Sequence, residues 1–274
     1  MNLIKLFRDI WAAGKSVTKK ILPVQVVNMI IKCKNKIFQY FRKNFIIINK
    51  SIYKKNRKFS ELDILARKYG TDKRTNDNEE AIYHGYTDVY DKLFSPKKKL
   101  CKNLLEIGVR EGWSHKMWYE FFPNAMIYGI DNFSDVVYES IDFEIDQIEN
   151  DRIKIFIGDQ SDHEFLEISF QNIEFDIIID DGSHRSWHQQ LSFKYLFPKL
   201  KSGGYYIIED LSCAEGLREF REYDDIRSST PEWIRSIQRK HFFSYYFSSE
   251  ESEVFSKNIK GAYFVGELGV IIKK

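Results

Sequence analysis

The chain has 274 residues, of which 43% are hydrophobic and 30% are charged, a composition typical of a globular protein long enough to bury a large core. Its three cysteines are far apart and lack zinc-ligand spacing, which argues against a disulfide scaffold and a zinc module and indicates a reducing compartment. The net charge of +2 conceals an asymmetry, because residues 1–59 hold fifteen Lys or Arg but a single acid, Asp9. A basic N-terminal segment therefore precedes an acidic body.

Residues 1–58 are predicted to form a basic arm of amphipathic helices, with Leu3, Phe7 and Trp11 on one face and Pro23 between two helices. No uncharged run approaches the ~20 residues that span a bilayer. Two interpretations stay open. The arm docks on an anionic membrane surface, or it packs on its own domain or on a second subunit of a homo-oligomer. We expect a cytoplasmic protein, peripheral at the membrane face under the first interpretation, and no nucleic-acid partner, because no recognition motif is present.

After the arm, short apolar stretches alternate with helical ones, the pattern of a parallel sheet. The candidate strands are rich in β-branched and aromatic residues, as expected for strands covered on both faces, and they span 103–109, 125–131, 152–158, 175–180 and 204–210. The tail GAYFVGELGVIIKK contains two more strand-like pieces and predicts a closing hairpin. The sequence thus predicts an α/β fold with a mostly parallel sheet.

The first strand leads into LEIGVREGWSH, where Glu106, Gly108 and Gly112 form an acid-x-Gly-x-x-x-Gly turn before a helix. Gly108 lets the backbone approach a ligand closely, and the helix start offers free N–H groups. Glycines in such a turn are equally explained by tight packing. The motif alone is therefore weak evidence for a ligand site.

The next two strands end in polar residues. Asp131 closes the second strand at the spacing at which an acid binds the ribose of an adenosine cofactor. Asp159 and Gln160 follow the third strand and are suited to reading an adenine edge. Each signal taken singly is explained by turn chemistry. Together, at the carboxyl ends of three successive strands, the signals favour a nucleoside-cofactor crevice.

The chain resembles a known family over roughly residues 60–274. The run LEIGV…IYGID, followed by DDGSH and IIEDL, resembles the class I S-adenosyl-L-methionine-dependent methyltransferases, and more closely the mycinamicin 2''-O-methyltransferase group of metal-dependent sugar O-methyltransferases. KYGTDK (68–73) and YHGYTDVYDKLF (83–94) resemble the same group. The first loop departs from the common GxGxG, since Arg110 stands where a glycine is frequent.

This resemblance implies a Rossmann-like methyltransferase fold with a seven-stranded sheet and a C-terminal antiparallel hairpin. It divides the chain into the arm, a helical cap segment at 59–95 and a methyltransferase domain at 96–274. It also implies contact of the cofactor with a set of residues at the ends of the first four strands: Glu106, Gly108, Gly112, Asp131, Asp159, Gln160 and Asp180.

By the same resemblance, Asp181, Glu209 and Asp210 bind Mg2+, and His184 is the general base. The strands that end at 180 and 209 are expected to be neighbours ~4.8 Å apart, so that three carboxylates can converge on one hard cation. Without a cation these charges would repel one another. The alternative for His184 is a residue that caps the loop by hydrogen bonding to the backbone.

The sequence leaves three functions open. The favoured one is a Mg2+-dependent O-methyltransferase that acts on a hydroxyl of a sugar or a glycosylated substrate, in surface-polysaccharide or natural-product biosynthesis. A nicotinamide-dependent dehydrogenase is an alternative, but the string GVREG lacks the GxGxxG loop that it requires. The third is a membrane-docked protein with a non-catalytic methyltransferase fold, against which the intact acids and histidine argue. The acceptor is a sugar-containing small molecule or a lipid-linked sugar under the favoured function.

Overall fold

The computed structural model describes residues 58–76, 84–134, 145–216 and 229–274. Apart from Lys58, the predicted arm lies outside the described residues, so both interpretations of it stay predictions. Within the described ranges, none of the helices has the length and apolar character needed to cross a membrane.

A seven-stranded sheet forms the centre of the fold. Its strands are β1 (Asn103–Ile107), β2 (Met126–Asp131), β3 (Ile153–Ile157), β4 (Phe175–Asp180), β5 (Leu200–Ile208), β6 (Ile259–Val265) and β7 (Leu268–Lys273). They lie in the order β3-β2-β1-β4-β5-β7-β6. The first five strands are parallel, and β7 runs antiparallel to both β5 and β6. The predicted Rossmann-like methyltransferase fold with a closing hairpin is confirmed.

Helices cover both faces of this sheet. In chain order they are α1 (Glu61–Tyr69), α2 (Thr87–Phe94), α3 (Trp113–Phe121), α4 (His163–Ser169), α5 (Ser186–Leu196), α6 (Leu211–Gly216), α7 (Thr230–Gln238) and α8 (Ser249–Asn258). The buried apolar side chains of α1, α2 and α3 belong to one core, and those of α4, α5, α7 and α8 belong to the other.

Successive side chains along a strand point alternately into the two cores. In β4, Ile177 and Ile179 enter the core beneath α1–α3, whereas Ile178 between them enters the opposite core. This follows from the two-residue repeat of side-chain direction in a strand. Each such fully buried side chain contributes roughly 1.5–3 kcal/mol. The continuous apolar runs in the sequence are thus explained by burial on both faces.

Six of the ten predicted boundaries of β1–β5 differ from the structure, by one to four residues. The first strand ends at Ile107 rather than at 109, and the fifth begins at Leu200 rather than at 204. The pairing of β4 with β5 shifts register after Phe175, and Gly203 has a φ of 72°. The irregular stretch between Leu200 and Gly204 is therefore part of the strand, which was predicted to begin only at 204.

The segment before β1 is held in place by a buried carboxylate. Asp63 in α1 accepts hydrogen bonds from the Thr75 backbone N–H at 2.6 Å, from the Thr87 hydroxyl at 2.6 Å and from the Arg67 side chain at 2.7 Å. Burial alone would raise the pKa of Asp63, but these hydrogen bonds outweigh it and lower the pKa. Asp63 consequently ties Thr75 and the first residue of α2, Thr87, to α1.

Candidate active site

The glycine turn after β1 is shaped by a contact with the loop after β4. Gly108 has a φ of 93°, and a Cβ atom at this position would lie 2.2 Å from the carbonyl oxygen of Asp181. A Cβ at Gly112 would lie 2.6 Å from Cδ1 of Ile148. Both glycines are thus required by packing within the chain. Their predicted contact with a cofactor stays a prediction.

Asp131 at the end of β2 holds this turn. Its Oδ2 accepts the backbone N–H groups of Val109 at 2.8 Å and Arg110 at 2.9 Å, and its Oδ1 accepts that of Phe133 at 2.8 Å. Arg110 has a φ of 52°, a conformation that usually favours glycine. The departure from GxGxG therefore leaves the loop geometry intact, because Asp131 fixes the backbone around Arg110.

The residues after β3 reach toward the loop after β4. Gln160 is buried, its Nε2 donates to Asp180 Oδ1 at 3.2 Å, and its Oε1 accepts the Ser183 backbone N–H at 2.6 Å. Asp159 accepts from Ser161 at 2.6 Å. Burial raises the pKa of Asp180 to about 6. In this structure the Gln160 amide group links two loops, so its predicted contact with adenine is not needed to explain it.

A lysine lies among the acids. Lys73, which follows α1 and has a side chain only 2% exposed, contacts Asp181, lies 2.9 Å from Glu209 Oε2 and lies 3.3 Å from Glu106 Oε1. We call Lys73, Glu106, Asp181 and Glu209 the inner group. Burial alone would lower the pKa of Lys73, but the three carboxylates outweigh it and raise this pKa well above its ordinary value. The chain itself thus supplies one positive charge to the three carboxylates of the inner group.

The two fully buried acids of the inner group have further donors. Glu106 Oε2 accepts from the Ser114 hydroxyl at 2.7 Å and from the Trp118 indole at 2.9 Å. Glu209 Oε1 accepts from the Tyr90 hydroxyl at 2.5 Å. Buried charges require such partners, because desolvation otherwise costs several kcal/mol. Asp181 is the member of the inner group that also faces outward, with 24% of its side chain exposed.

Asp210 lies on the outer side of the same cluster. Its Oδ1 accepts from the Tyr86 hydroxyl at 2.6 Å and lies 3.2 Å from His84 Nδ1. Its Oδ2 lies 3.8 Å from His184 Nε2. We call Asp181, His184 and Asp210 the outer group, since each offers a ligand atom within 4.8 Å of the others.

The backbone of the outer group is unusual. His184 has a φ of 58° and Asp210 a φ of 54°, both in the left-handed region that costs a non-glycine residue free energy. Such conformations persist only where the surrounding structure imposes them. Here they direct one imidazole and one carboxylate toward each other from the loops that follow β4 and β5.

The predicted metal ligands are thus brought together in two overlapping sets. Asp181 belongs to both, Glu209 lies on the inner side and Asp210 on the outer side. Carboxylate oxygens are the ligands that Mg2+ prefers, so the donor set fits this ion. Whether one ion contacts all three acids stays a prediction.

Sequence reasoning missed several contributors. Lys73, Tyr86 and Tyr90 each contact an acid more than one hundred positions away. All three lie in KYGTDK or YHGYTDVYDKLF, two stretches that the sequence links only through the family resemblance. Because no spacing rule links such distant residues, the one available signal was the recurrence of both stretches in the same family.

The strand order, the glycine turn after β1 and the acids after β2, β4 and β5 define the class: this is the fold of the class I S-adenosylmethionine-dependent methyltransferases. No family model matches the chain. The mycinamicin VI 2''-O-methyltransferase of Micromonospora griseorubida is 39% identical over 140 residues, which cover 48% of this chain and 32% of that protein. A tetracenomycin-C rhamnosyl 3'-O-methyltransferase of Streptomyces olivaceus is 34% identical over 162 residues, covering 56% of this chain and 37% of that protein.

A solved structure agrees with these relatives. The MycE methyltransferase of the mycinamycin pathway, in complex with Mg and SAH, superposes with a TM-score of 0.63 at 29% identity, covering 79% of this chain and 55% of that one. The predicted resemblance to metal-dependent sugar O-methyltransferases is confirmed. The chain spans between 32% and 46% of the length of the curated relatives that it matches.

Proposed function

We propose that the chain is a Mg2+-dependent O-methyltransferase that transfers a methyl group from S-adenosyl-L-methionine to a sugar hydroxyl of a glycosylated acceptor. The outer group carries this proposal, because it combines two carboxylates and an imidazole beside the glycine turn of a methyltransferase fold. The relatives support it: the similar curated proteins are O-methyltransferases of glycosylated natural products, and MycE was solved with Mg, SAH and mycinamycin VI. None of these relatives favours a nicotinamide-dependent dehydrogenase or a non-catalytic protein.

In this proposal the cofactor lies over the carboxyl ends of β1, β2 and β3. Asp131 accepts a hydrogen bond from one ribose hydroxyl, since its two oxygens offer about four lone-pair sites and backbone N–H groups use three of them. Gly108, Gly112 and Asp159 border the same crevice. Glu106, Gln160 and Asp180 act on the cofactor indirectly in this proposal. Their side chains are buried and position the loops that surround the crevice.

Bound S-adenosylmethionine supplies an electrophilic methyl group, and bound Mg2+ stabilises negative charge on the acceptor oxygen. Asp181, Glu209 and Asp210 would hold the ion. His184 accepts the proton of the acceptor hydroxyl, and Asp210, with Oδ2 at 3.8 Å, stabilises the imidazolium that results. The cap residues Tyr86 and His84 fix the other oxygen of Asp210. These contacts orient the acid and the base before the acceptor enters.

The first experiment measures methyl transfer from isotopically labelled cofactor to a panel of free sugars, nucleotide sugars, lipid-linked sugars and glycosylated macrolides, with the aglycones as matched controls. We expect transfer to a glycosylated acceptor but not to its aglycone. Chelation should abolish turnover and Mg2+ should restore it, and Asp210→Ala should lose both activity and the response to Mg2+. Full activity in chelator would contradict the proposed mechanism.

The second experiment tests the cofactor crevice by calorimetry. S-adenosylhomocysteine should bind, and Asp131→Ala should weaken its binding roughly 10-fold or more, because hydrogen bonds to a charged group are worth about 1.5–3 kcal/mol. Asp176→Ala is a control, since Asp176 lies at the opposite end of the sheet, where it accepts from Lys102 and Asn103. Tight NAD binding without S-adenosylhomocysteine binding would refute the proposal.

We also propose that residues 1–58 dock on an anionic membrane surface. The fifteen basic residues of this region support it, as each contributes about 1 kcal/mol near such a surface. Co-sedimentation with vesicles should require anionic lipid, decrease with salt and disappear when residues 1–58 are deleted. A truncated protein that changes from dimer to monomer, with a full-length protein that ignores vesicles, would instead identify the arm as an oligomerisation element.

A further inference from the structure

Lys73 connects the cap segment to the ends of three strands. Its ammonium group contacts Asp181 after β4, Glu209 after β5 and Glu106 within β1. The Lys73 side chain is only 2% exposed, so water screens these ion pairs little. By contrast, the ion pair of Lys68 with Glu120 has side chains that are 53% and 39% exposed. The two lysines belong to the same short stretch but have opposite environments.

The loop that carries Lys73 is fixed from several directions. Gly70 ends α1 in a left-handed conformation and donates to the Ala66 carbonyl at 2.9 Å. The Lys73 carbonyl accepts the Thr87 backbone N–H at 3.0 Å, and Thr75 is held by Asp63. The ammonium group is therefore placed by the fold of the cap and does not reach the acids from a mobile surface loop.

Three carboxylates around one ammonium group leave an excess of negative charge. Removal of one partner from a buried ion pair is strongly destabilising, because it leaves uncompensated charge away from water. Two of the three acids, Asp181 and Glu209, are also proposed ligands of the divalent ion. A lysine and an ion that attract the same carboxylates repel each other, since the Coulomb energy at such distances is large in a buried site.

We propose that Lys73 is a chain-borne cation that holds Glu106, Asp181 and Glu209 together when no divalent ion is bound, and that it competes with a divalent ion for these carboxylates. It is a positioning residue and does not touch the reacting atoms. Only the competition with Mg2+ rests on the proposed function. The pairing of the three acids depends on neither cofactor nor methyl transfer.

The first test compares Lys73→Met, which keeps the side-chain length but removes the charge, with Lys68→Met as the matched surface control. In chelator the melting temperature of the Lys73→Met protein should fall by roughly 10 °C, whereas Lys68→Met should shift it little. Added Mg2+ should raise the melting temperature of Lys73→Met by more degrees than that of the wild type. Equal stability of Lys73→Met and wild type in chelator would overturn the proposal.

The second test measures binding of Mn2+ alone by calorimetry. The Lys73→Met protein should bind the ion at least ~10-fold more tightly than the wild type, because a repelling charge has been removed next to the ligands. Unchanged or weaker binding would refute the competition. The Lys68→Met protein should match the wild type.

Further measurements apply if Lys73→Met does not fold. The double variant Lys73→Met/Glu209→Gln carries one carboxylate fewer, so it should fold and should bind Mn2+ more tightly than Glu209→Gln alone. In the wild type, an amine-reactive reagent followed by peptide mass spectrometry should label Lys68 but leave Lys73 protected in chelator. Rapid labelling of native Lys73 would overturn the proposal. If these results hold while no acceptor is methylated, the proposed function fails and the role of Lys73 in stability remains.

Discussion

The inner and outer groups share Asp181 but differ in how their charges are balanced. In the inner group, Glu106 and Glu209 are buried, and their partners Lys73, Ser114, Trp118 and Tyr90 all belong to the chain. The outer acid, Asp210, is partly exposed and faces two imidazoles on a backbone of left-handed conformation. The first arrangement suits a structural role. The second retains the exposure and the strained geometry that are characteristic of reactive sites.

The largest expected effect is on turnover, at the outer group. His184→Ala should reduce the rate of methyl transfer by ~10²–10⁴-fold, the usual contribution of a general base. The affinity for S-adenosylhomocysteine and the melting temperature should change little, because His184 is not part of the inner group. His163→Ala, at the first position of α4, serves as the control. An active His184→Ala enzyme at neutral pH would break the proposed division of roles.

A second prediction concerns pH and the loop that joins the two groups. Burial lowers the pKa of His188 to about 4, and its Nδ1 lies 2.8 Å from the Ser183 hydroxyl. The unfolded chain therefore binds a proton that the folded chain does not between about pH 6.5 and 4, so the free energy of unfolding should fall by up to ~3 kcal/mol as pH falls through this range.

Glutamine can keep a hydrogen bond to Ser183 but does not titrate. His188→Gln should consequently lose less stability on acidification than the wild type, as measured by urea unfolding at a series of pH values. His163→Gln should behave as the wild type does. Identical pH profiles for His188→Gln and wild type would show that His188 is not the group responsible.

The smallest effects are expected from two tyrosine substitutions, one next to the inner group and one next to the outer group. Comparing them tests whether the two groups have different roles. Tyr90→Phe removes a donor from the buried Glu209 and should cost about 1–3 kcal/mol of stability. Tyr86→Phe removes a donor from the partly exposed Asp210 and should cost less stability, about 1 kcal/mol, while altering the Mg2+ response of turnover. Thermal unfolding and Mg2+ titration of activity measure both. The reverse pattern would invalidate the distinction between inner and outer groups.

The sequence predicted those features of the fold and the site that depend on local residue patterns. Apolar runs located the strands to within a few residues, and the family resemblance supplied the number of strands and the closing hairpin. Asp181 and Asp210 could be paired in advance because the carboxyl ends of neighbouring parallel strands meet at one edge. The predicted start of β5 was four residues late, because the irregular stretch before Gly204 belongs to the strand only through its pairing with β4, which one sequence does not reveal.

Contacts between segments that are distant in the chain could not be predicted from the sequence. The sequence did not indicate that the Asp181 carbonyl lies where a Cβ of residue 108 would be. Nor did it indicate that the Gln160 amide group links Asp180 and Ser183. The predicted contacts of both residues with the cofactor stay predictions. In each case the residue type was informative about close approach or hydrogen bonding. The partner was decided by tertiary packing, which one sequence does not reveal.

The location of the inner group has a consequence for synthesis of the protein on the ribosome. Lys73 and Tyr90 emerge early, yet their partner Glu209 lies 136 and 119 positions later in the chain. Contacts so distant in sequence form late, because the intervening chain must first be ordered. Lys73 and Tyr90 therefore cannot make their buried contacts with Glu209 until the ribosome has synthesised β5.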